Sequence, residues 1–261
     1  MARVKVLITG GSGYIAQSII KALHAKYDIT TITKDDFDLT NYASVCKFLE
    51  GKYFDVVIHT AIVGGNRLQA EDSSMLEANL LMYYNLISNK EHFGKFISFG
   101  SGAELGMPTT PYGFSKRIIA ESMSKLDYCL NIRIFAVFDE NELDRRFIKS
   151  NVLKYINNEA MTVHQNKVMD FFYMKDLITL IDYHLKHRDW LFNTIDCTYD
   201  RSYTLLEIAQ MINKLDSHKV PIHVDILEGN PYSGNYVGLL IPLVGLKEGI
   251  REVYESLKQK I

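Results

Sequence analysis

ARVKVLITGGSGYIAQSIIKAL (residues 2–23) joins an apolar run, a glycine-rich turn and an amphipathic segment. The run VKVLI (4–8) is short and rich in β-branched residues, which predicts a buried strand. Gly10, Gly11 and Gly13 then let the backbone turn sharply, and the helix that follows points its first N–H groups at the turn. This arrangement predicts a site for the pyrophosphate of a dinucleotide, and the alternative is an ordinary strand–helix turn.

A second informative segment, SFGSGAELGMPTTPYGFSKRIIAE (98–121), contains a serine, a tyrosine and a lysine in a suggestive order. Tyr112 and Lys116 are four residues apart on a predicted helix and therefore share a face. A neighbouring ammonium brings a phenol of reference pKa about 10 closer to its working range. Ser101 can donate a hydrogen bond to a carbonyl oxygen while the tyrosine transfers the proton. The set predicts hydride-transfer chemistry, although a surface Tyr/Lys pair and a turn-capping serine are the simpler alternatives.

The composition narrows the range of partners and compartments. A formal net charge of −2 over 261 residues offers no electrostatic basis for binding nucleic acid or an anionic membrane. The three cysteines are widely spaced, which predicts reduced thiols and a cytoplasmic protein. We recognise no signal peptide and no run long enough to span a bilayer. The histidines lack metal-ligand spacing, so we predict no metal.

Strand-like and helix-like segments alternate along the first half of the chain. This alternation predicts an α/β fold with a doubly wound parallel sheet and helices on both faces. We assign residues 1–140 plus 176–200 to a dinucleotide-binding domain. Residues 141–175 plus 201–261 are predicted to form a small substrate-binding lobe at the carboxyl edge of the sheet, where ligands of such sheets bind.

Taken together, several motifs resemble the extended short-chain dehydrogenase/reductases, the NAD-dependent epimerase/dehydratase family. The resemblance covers roughly the first 185 residues and implies a Rossmann-type sheet. Within the family, residues 34–50 and 54–65 are most similar to GDP-fucose synthase and dTDP-4-dehydrorhamnose reductase. The motifs are TGGSGYIA (9–16), HTAIVGG (59–65), PYGFSK (111–116), RIFAVF (133–138) and DFFYMKDL (170–177).

The resemblance implies roles for individual residues. Ser101, Tyr112 and Lys116 are the expected catalytic set, and Asn79 is the fourth member, positioning a water or the lysine for proton relay. The expected cofactor contacts are Gly10, Gly13, Tyr14, Ile15, Lys34, Asp38, Leu39, Ala61, Ile62, Val63 and Lys116. The expected substrate contacts are Gly102, Ala103, Arg146 and Lys149.

Departures from the family pattern narrow the expected chemistry. Dehydratases of the family place an Asp-Glu pair where this chain has Gly102 and Ala103, with Glu104 one position too late. GDP-fucose synthase has a cysteine at the position of Ala103 and a downstream histidine, whereas residues 140–151 contain no histidine. Without a thiol or an imidazole, no evident group exchanges protons next to the ketone. These differences favour a reductase that lacks the epimerase step.

Cofactor preference depends on the end of the second strand. Lys34 can pair with the 2′-phosphate of NADPH, whereas the adjacent Asp35 and Asp36 suit the ribose of NAD. The lysine favours NADP(H), with NAD(H) possible, and the resemblance implies a reductase of a nucleotide-activated 4-keto-(6-deoxy)sugar, active in deoxysugar biosynthesis. A nucleotide-sugar 4-epimerase with tightly bound NAD and a non-catalytic dinucleotide sensor are the alternatives. The resemblance also implies a homodimer formed through the helix that carries Tyr112 and the long helix before it.

Overall fold

The computed structural model describes residues 3–65, 70–187 and 189–260. Within these ranges the chain divides into two compact units, Met1–Arg133 with Ile181–Ile195 and Ile134–Leu180 with Asp196–Ile261. The strands are β1 (Lys5–Thr9), β2 (Asp28–Ile32), β3 (Phe54–His59), β4 (Phe93–Ser101), β5 (Cys129–Ile134), β6 (Val137–Phe138), β7 (Met161–Val163), β8 (Phe172–Tyr173), β9 (Thr194–Asp196) and β10 (Ile222–Val224). The helices are α1 (Tyr14–Leu23), α2 (Tyr42–Leu49), α3 (Ser73–Ile87), α4 (Pro111–Met123), α5 (Phe147–Ile156), α6 (Met174–Lys186), α7 (Leu205–Ile212) and α8 (Leu246–Lys258).

The first unit is built on a six-stranded sheet in the order β2-β1-β3-β4-β5-β9. β1 pairs in parallel with both β2 and β3, and β3 pairs in parallel with β4. The connections from β1 to β5 each pass through a helix, as parallel crossovers require. β1, β3 and β4 are buried along most of their length, which is typical of strands covered on both faces. The predicted doubly wound α/β fold is confirmed.

The order of the strands reverses between β1 and β3, whose carboxyl ends lie side by side because Thr9 pairs with His59. Open α/β sheets bind their ligands in the crevice beyond such a switch point. The two loops that begin here are the glycine-rich turn after β1 and the 60–65 loop after β3. The topology therefore brings two of the motifs noted in the sequence to one edge of the sheet.

The second unit has its own hydrophobic core, around α5, α7 and α8. Fully buried members of this core include Ile148, Tyr155, Ile208 and Ile250. Two short parallel pairs, β6 with β8 and β7 with β10, complete the unit. The buried carboxylate of Asp176 accepts hydrogen bonds from the N–H groups at the start of α8, those of residues 244 and 245, at 2.7 and 2.9 Å. Among the described residues, we find no helix with the length and apolar character needed to cross a membrane.

Candidate active site

The glycine-rich turn lies directly against the loop that follows β3. Gly10 has a φ of +66°, and a Cβ at this position would lie 2.7 Å from both the N and Cα atoms of Ala61. The N–H of Gly11 donates to the carbonyl of Ile32 at the end of β2 at 3.0 Å. The backbone of the turn therefore lies directly against the backbone of the next loop, at the place where a dinucleotide would bind main-chain N–H groups. Both the positive φ and the close approach of Ala61 require glycine at position 10.

The amino end of α1 has the character of an anion site. Gly13 is the N-cap residue and offers no side chain to cap the helix, and the first turn contains no acidic residue. The partial positive charge of the helix end therefore meets no compensating group from its own first turn. Tyr14 and Ile15 begin the helix and are half-buried, and Ala16 is fully buried beneath it. These features fit the pyrophosphate of a nicotinamide dinucleotide.

The residues that follow β2 are an exposed lysine, Lys34, and two aspartates, Asp35 and Asp36. Asp36 accepts hydrogen bonds from the N–H and hydroxyl of Thr33 at 2.7 and 2.9 Å. These bonds to the ionised form lower the pKa of Asp36. The Asp36 carboxylate therefore stabilises its own turn, whereas Lys34 is exposed. Lys34 and Asp35 are therefore both exposed to a ligand at this position.

Asp38 and Leu39, the other predicted adenine-side contacts, have different environments. Asp38 accepts from the N–H and hydroxyl of Thr40 at 2.9 and 2.8 Å, which organises the turn before α2. The side chain of Leu39 is buried, and its carbonyl accepts from the amide of Asn85 at 2.9 Å. Their predicted role as cofactor contacts stays a prediction.

Asn79 fixes the loop after β3. Its Oδ1 accepts from the N–H of Val63 at 2.8 Å, and its Nδ2 donates to the carbonyl of the same residue at 2.9 Å. Nδ2 also lies 3.1 Å from the hydroxyl of Ser115 on α4. The Asn79 side chain thus joins this loop to the helix of the predicted catalytic set. Ile62 and Val63 are each 40% exposed, so the loop presents apolar side chains outward.

The phenol of Tyr112 is packed against the glycines of the same loop. A Cβ placed on Gly65 would lie 3.0 Å from Cε2, 3.1 Å from Cζ and 3.4 Å from the hydroxyl of Tyr112. A Cβ placed on Gly64 would lie 3.6 Å from the Cβ of Tyr112. The N–H of Tyr112 donates to the carboxylate of Glu71 at 3.0 Å. The hydroxyl of Tyr112 therefore lies at the switch-point edge of the sheet, beside the loop predicted to line the nicotinamide ribose.

Lys116 is buried beneath Tyr112, one helical turn further along α4. Its Nζ lies 5.7 Å from the centroid of the Tyr112 ring and donates a 2.5 Å hydrogen bond to the carbonyl of Phe99 on β4. Burial lowers the pKa of Lys116 to about 8, whereas the negative charge of Glu104 raises it. The ammonium therefore titrates closer to physiological pH than that of an exposed lysine.

Ser101 is the last residue of β4 and begins a short 3-10 helix, Gly102–Glu104. Its hydroxyl oxygen accepts from the N–H of Ala103 at 3.2 Å, and its own N–H donates to the carboxylate of Glu104 at 3.1 Å. The 3-10 helix packs on α4, since a Cβ on Gly113 would lie 2.9 Å from the carbonyl of Ala103. Ser101 therefore lies on a turn that contacts α4 next to Tyr112.

His59 is packed and uncharged, as its position at the end of a buried strand suggests. Its Nδ1 lies 2.8 Å from the hydroxyl of Thr9. Burial and, to a lesser extent, the charge of Lys116 lower the pKa of His59 to about 3. The imidazole is therefore neutral throughout the physiological range.

Arg146 and Lys149, the predicted substrate contacts, belong to the second unit and lie at the start of α5. Lys149 donates to the carbonyl of Glu142 at 2.8 Å and pairs with Asp144 at 2.9 Å. The side chain of Arg146 is half-exposed and lies 3.7 Å from the carboxylate of Glu142. Burial raises the pKa of Glu142 to about 8, against the effect of the Arg146 charge. The ammonium of Lys149 is engaged locally, and the substrate roles of both residues stay predictions.

Two carboxylates of the site do not appear among the predicted site residues. Glu104 could have been recognised as part of a site, because S-x-x-E at residues 101–104 is the pattern of a capping box, and the structure has this box. Glu71 contacts Tyr112 from 41 residues away, and no local pattern indicates such a contact. Within the described residues, no group of three or more His, Cys, Asp or Glu side chains is arranged to hold a metal ion.

The class of protein follows from this fold together with a match to a known family. Residues 6–193 match the family model described as the NAD dependent epimerase/dehydratase family. This match spans more than half of the chain, and the chain therefore belongs to that family. It is an NAD(P)-dependent enzyme of the short-chain dehydrogenase/reductase type, as the sequence motifs predicted.

Individual relatives share the fold at low sequence identity. The chain is 22% identical to CDP-abequose synthase of Yersinia pseudotuberculosis, with 84% of this chain and 87% of that protein covered. Its structure is similar to the GDP-mannoheptose C4 reductase of Campylobacter jejuni, solved with NADP bound, with a TM-score of 0.81, 15% identity and 99% of both chains covered. It is also similar to the UDP-glucuronic acid 4-epimerase of Bacillus cereus, solved with UDP-glucuronic acid and NAD, with a TM-score of 0.74, 18% identity and 99% and 100% coverage.

Packing of the glycine loop on Tyr112 predicts the effect of adding one methyl group. Gly65→Ala places a Cβ about 3 Å from the phenol ring, so we expect the ring to shift and turnover to fall by about tenfold or more, as misplacement of a reacting group does. Gly51→Ala is the matched control, because Gly51 has a similar φ of +67° with no atom within 4 Å of its Cβ position. Both variants should lose similar stability in urea denaturation. Equal turnover of the two variants would contradict the proposed contact.

Proposed function

We propose that this enzyme reduces a nucleotide-activated 4-keto-(6-deoxy)sugar with NADPH, delivering hydride to C4 and a proton from Tyr112. The observation that supports this most is the pairing of the Tyr112 phenol with the buried ammonium of Lys116, 5.7 Å from the ring centroid. A phenol beside a cation, at the ligand-binding edge of a dinucleotide fold, is suited to protonating an alkoxide as it forms.

Each residue of the set then has a distinct role. A bound nicotinamide supplies the hydride. Tyr112 donates its proton to the oxygen that develops negative charge at C4, and Ser101 donates a hydrogen bond to the same oxygen. Lys116 would hold the nicotinamide ribose when the cofactor is bound, and its ammonium stabilises the phenolate that remains. Asn79 acts through the backbone of Val63, to which it is hydrogen-bonded at 2.8 and 2.9 Å, and so positions the loop beside the phenol.

The choice of a nucleotide-sugar is supported by the relatives. CDP-abequose synthase and GDP-mannoheptose C4 reductase both have names that specify nucleotide-linked sugars, and the latter specifies reduction at C4. The choice of NADPH is supported by the exposed Lys34 after β2. Of the two aspartates that follow it, Asp36 is hydrogen-bonded to Thr33, and the exposed Asp35 is the residue that would favour NAD. A cation at this position pairs with a 2′-phosphate, whereas an available carboxylate would pair with ribose hydroxyls.

A 4-epimerase with tightly bound NAD is the second candidate. The similarity to UDP-glucuronic acid 4-epimerase favours it, since the same serine, tyrosine and lysine can oxidise C4 and return the hydride to the other face. The two functions differ in how they use the cofactor. A reductase consumes one NADPH for each sugar, whereas an epimerase retains its NAD and consumes none.

Turnover on a panel of NDP-4-keto-6-deoxysugars tests the proposed function. We expect stoichiometric loss of the absorbance of NADPH with at least one member of the panel. Tyr112→Phe should lower kcat by about a thousandfold, because proton transfer by a positioned side chain contributes about 10²–10⁴. Its affinity for NADPH should remain close to that of the wild type, and Tyr42→Phe, on an exposed tyrosine of α2, is the matched control.

Three outcomes of these experiments would contradict the proposal. If Tyr112→Phe retains full turnover, the proposed proton donor is wrong. If the purified protein contains NAD and interconverts two sugar epimers with no consumption of NADPH, the epimerase assignment replaces the reductase. Dinucleotide binding with no turnover of either kind would favour a sensor.

Replacing Lys34 tests the cofactor preference. Lys34→Ala should raise the KM for NADPH about tenfold and leave the KM for NADH unchanged, because a hydrogen bond to a charged group contributes about 1.5 kcal/mol. Steady-state kinetics with both cofactors measure the effect. Lys21→Ala, on an exposed lysine of α1, is the control. A parallel change in both KM values would contradict a role for Lys34 in recognising the 2′-phosphate.

We also propose that the protein is a homodimer formed through α3 and α4. Both helices present large apolar side chains to solvent: Leu81, Tyr84, Phe114 and Ile118 are 40%, 41%, 44% and 36% exposed. Burying this face against its symmetric copy would remove apolar surface from water. Leu81→Glu should therefore shift the sedimentation coefficient from that of a dimer to that of a monomer. Leu191→Glu, on a leucine that is 89% exposed, should leave it unchanged, and a monomeric wild type would refute the dimer.

A further inference from the structure

Glu104 is almost fully buried, with 4% of its surface exposed, just after the carboxyl end of β4. Its Oε2 accepts from the N–H of Ser101 at 3.1 Å. Its Oε1 accepts from the Nδ2 of Asn131 at 2.9 Å and from the Nε of Arg133 at 2.6 Å. One carboxylate therefore joins the turn that contains Ser101 to two residues of β5.

One buried carboxylate and two buried cations lie in this part of the first unit. Arg133 is mostly buried, with 16% of its side chain exposed, and the second cation, Lys116, is buried on α4. The charge of Glu104 raises the pKa of Lys116, whereas burial lowers it to about 8. Of the other ionisable groups near Lys116, His59 of β3 is neutral, since its pKa is about 3, and Tyr112 lies on the same helix. The Nζ of Lys116 donates to the carbonyl of Phe99, and a Cβ on Gly100 would lie 2.7 Å from the Oε2 of Glu104. The ammonium and the carboxylate therefore lie beside consecutive residues of β4, and Glu104 supplies negative charge to a region that contains two buried cations.

The geometry points to Glu104 as a positioning residue of the active site, whose carboxylate holds the Ser101 turn and supplies the counter-charge for the Lys116 ammonium. The functional meaning of this inference rests on the roles given to Ser101 and Lys116 in the proposed function. A glutamine at position 104 could still accept the hydrogen bond from the N–H of Ser101. Only a carboxylate can also balance the positive charge of Lys116. Replacing Glu104 by glutamine therefore separates a role of its charge from a role of its hydrogen bond to Ser101.

The direction of each effect follows from electrostatics. Glu104→Gln leaves the two cations without their shared counter-charge, which favours the neutral amine, and the pKa of Lys116 falls. Arg133→Gln removes the cation that partly neutralises Glu104, so that the carboxylate acts more strongly on Lys116 and the pKa of Lys116 rises. If Glu104 only held the turn in shape, Glu104→Gln would not lower the pKa of Lys116.

The test is an NMR titration of the protein without cofactor or substrate, labelled with ¹³C at the Cε atoms of its lysines. The Lys116 resonance is identified by its loss in Lys116→Arg. We expect the midpoint for Lys116 to fall by about one pH unit in Glu104→Gln and to rise in Arg133→Gln, since a nearby opposite charge shifts a pKa by about one to three. Glu121→Gln is the matched control: Glu121 is an exposed carboxylate on α4, paired with Arg117 at 2.8 Å, and its loss should leave the midpoint unchanged.

An unchanged midpoint in Glu104→Gln would overturn the inference. If that variant does not fold, Arg133→Gln and Glu104→Asp decide it. The first must shift the midpoint upward, the second must keep it near that of the wild type because the charge is retained, and failure of either overturns the inference. The titration needs no sugar and no dinucleotide, so its result is independent of the proposed function, whose failure would appear instead as lack of turnover on the sugar panel.

Discussion

The close approach of the backbone at Gly10 to that at Ala61 is the constraint on which this site depends. A single Cβ at Gly10 would lie 2.7 Å from two main-chain atoms of the neighbouring loop. The turn after β1 and the loop after β3 begin at the same edge of the sheet, because the two strands are parallel neighbours. They can lie directly against each other because Gly10 has no side chain. The amide of Asn79 then joins the loop after β3 to Ser115 of α4. The dinucleotide cradle and the proposed proton donor are therefore parts of one arrangement, set by the order of the strands at the switch point.

Buried polar groups, rather than apolar packing alone, hold the proposed catalytic residues in place. The side-chain amide of Asn79 makes two hydrogen bonds to the main chain of Val63, one through its oxygen and one through its nitrogen. The Nζ of Lys116 donates a hydrogen bond to the carbonyl of Phe99, and the carboxylate of Glu104 accepts one from the N–H of Ser101. Buried donors and acceptors that lack partners destabilise a fold strongly. These networks consequently allow few alternative positions for the side chains that they support, which suits a site that must hold a phenol close to a reacting carbonyl.

For Asn79 the fold adds contacts to a role that the family resemblance implies and that stays a prediction. The family resemblance implies that it positions a water or the lysine for proton relay. The structure shows its amide hydrogen-bonded to Val63 and to Ser115, which makes it a link between the 60–65 loop and α4. Its influence on Tyr112 then passes through the position of that loop. His59, by contrast, has the packed and neutral character that its place at the end of a buried strand predicts.

Local pattern was sufficient to predict the alternating strands and helices of the doubly wound fold, and it supplied the residues proposed for the site. The apolar run before Gly10, the glycines themselves and the four-residue spacing of Tyr112 and Lys116 are all short-range features, and each reflects the conformation of a few neighbouring residues. The partners of the buried polar groups needed the folded chain. Asn79 meets Ser115 across 36 positions, and Glu104 meets Arg133 across 29, because the packing of α3 on α4 and the alignment of β4 with β5 bring them together. Such contacts depend on where whole elements lie, and no spacing along the chain encodes them.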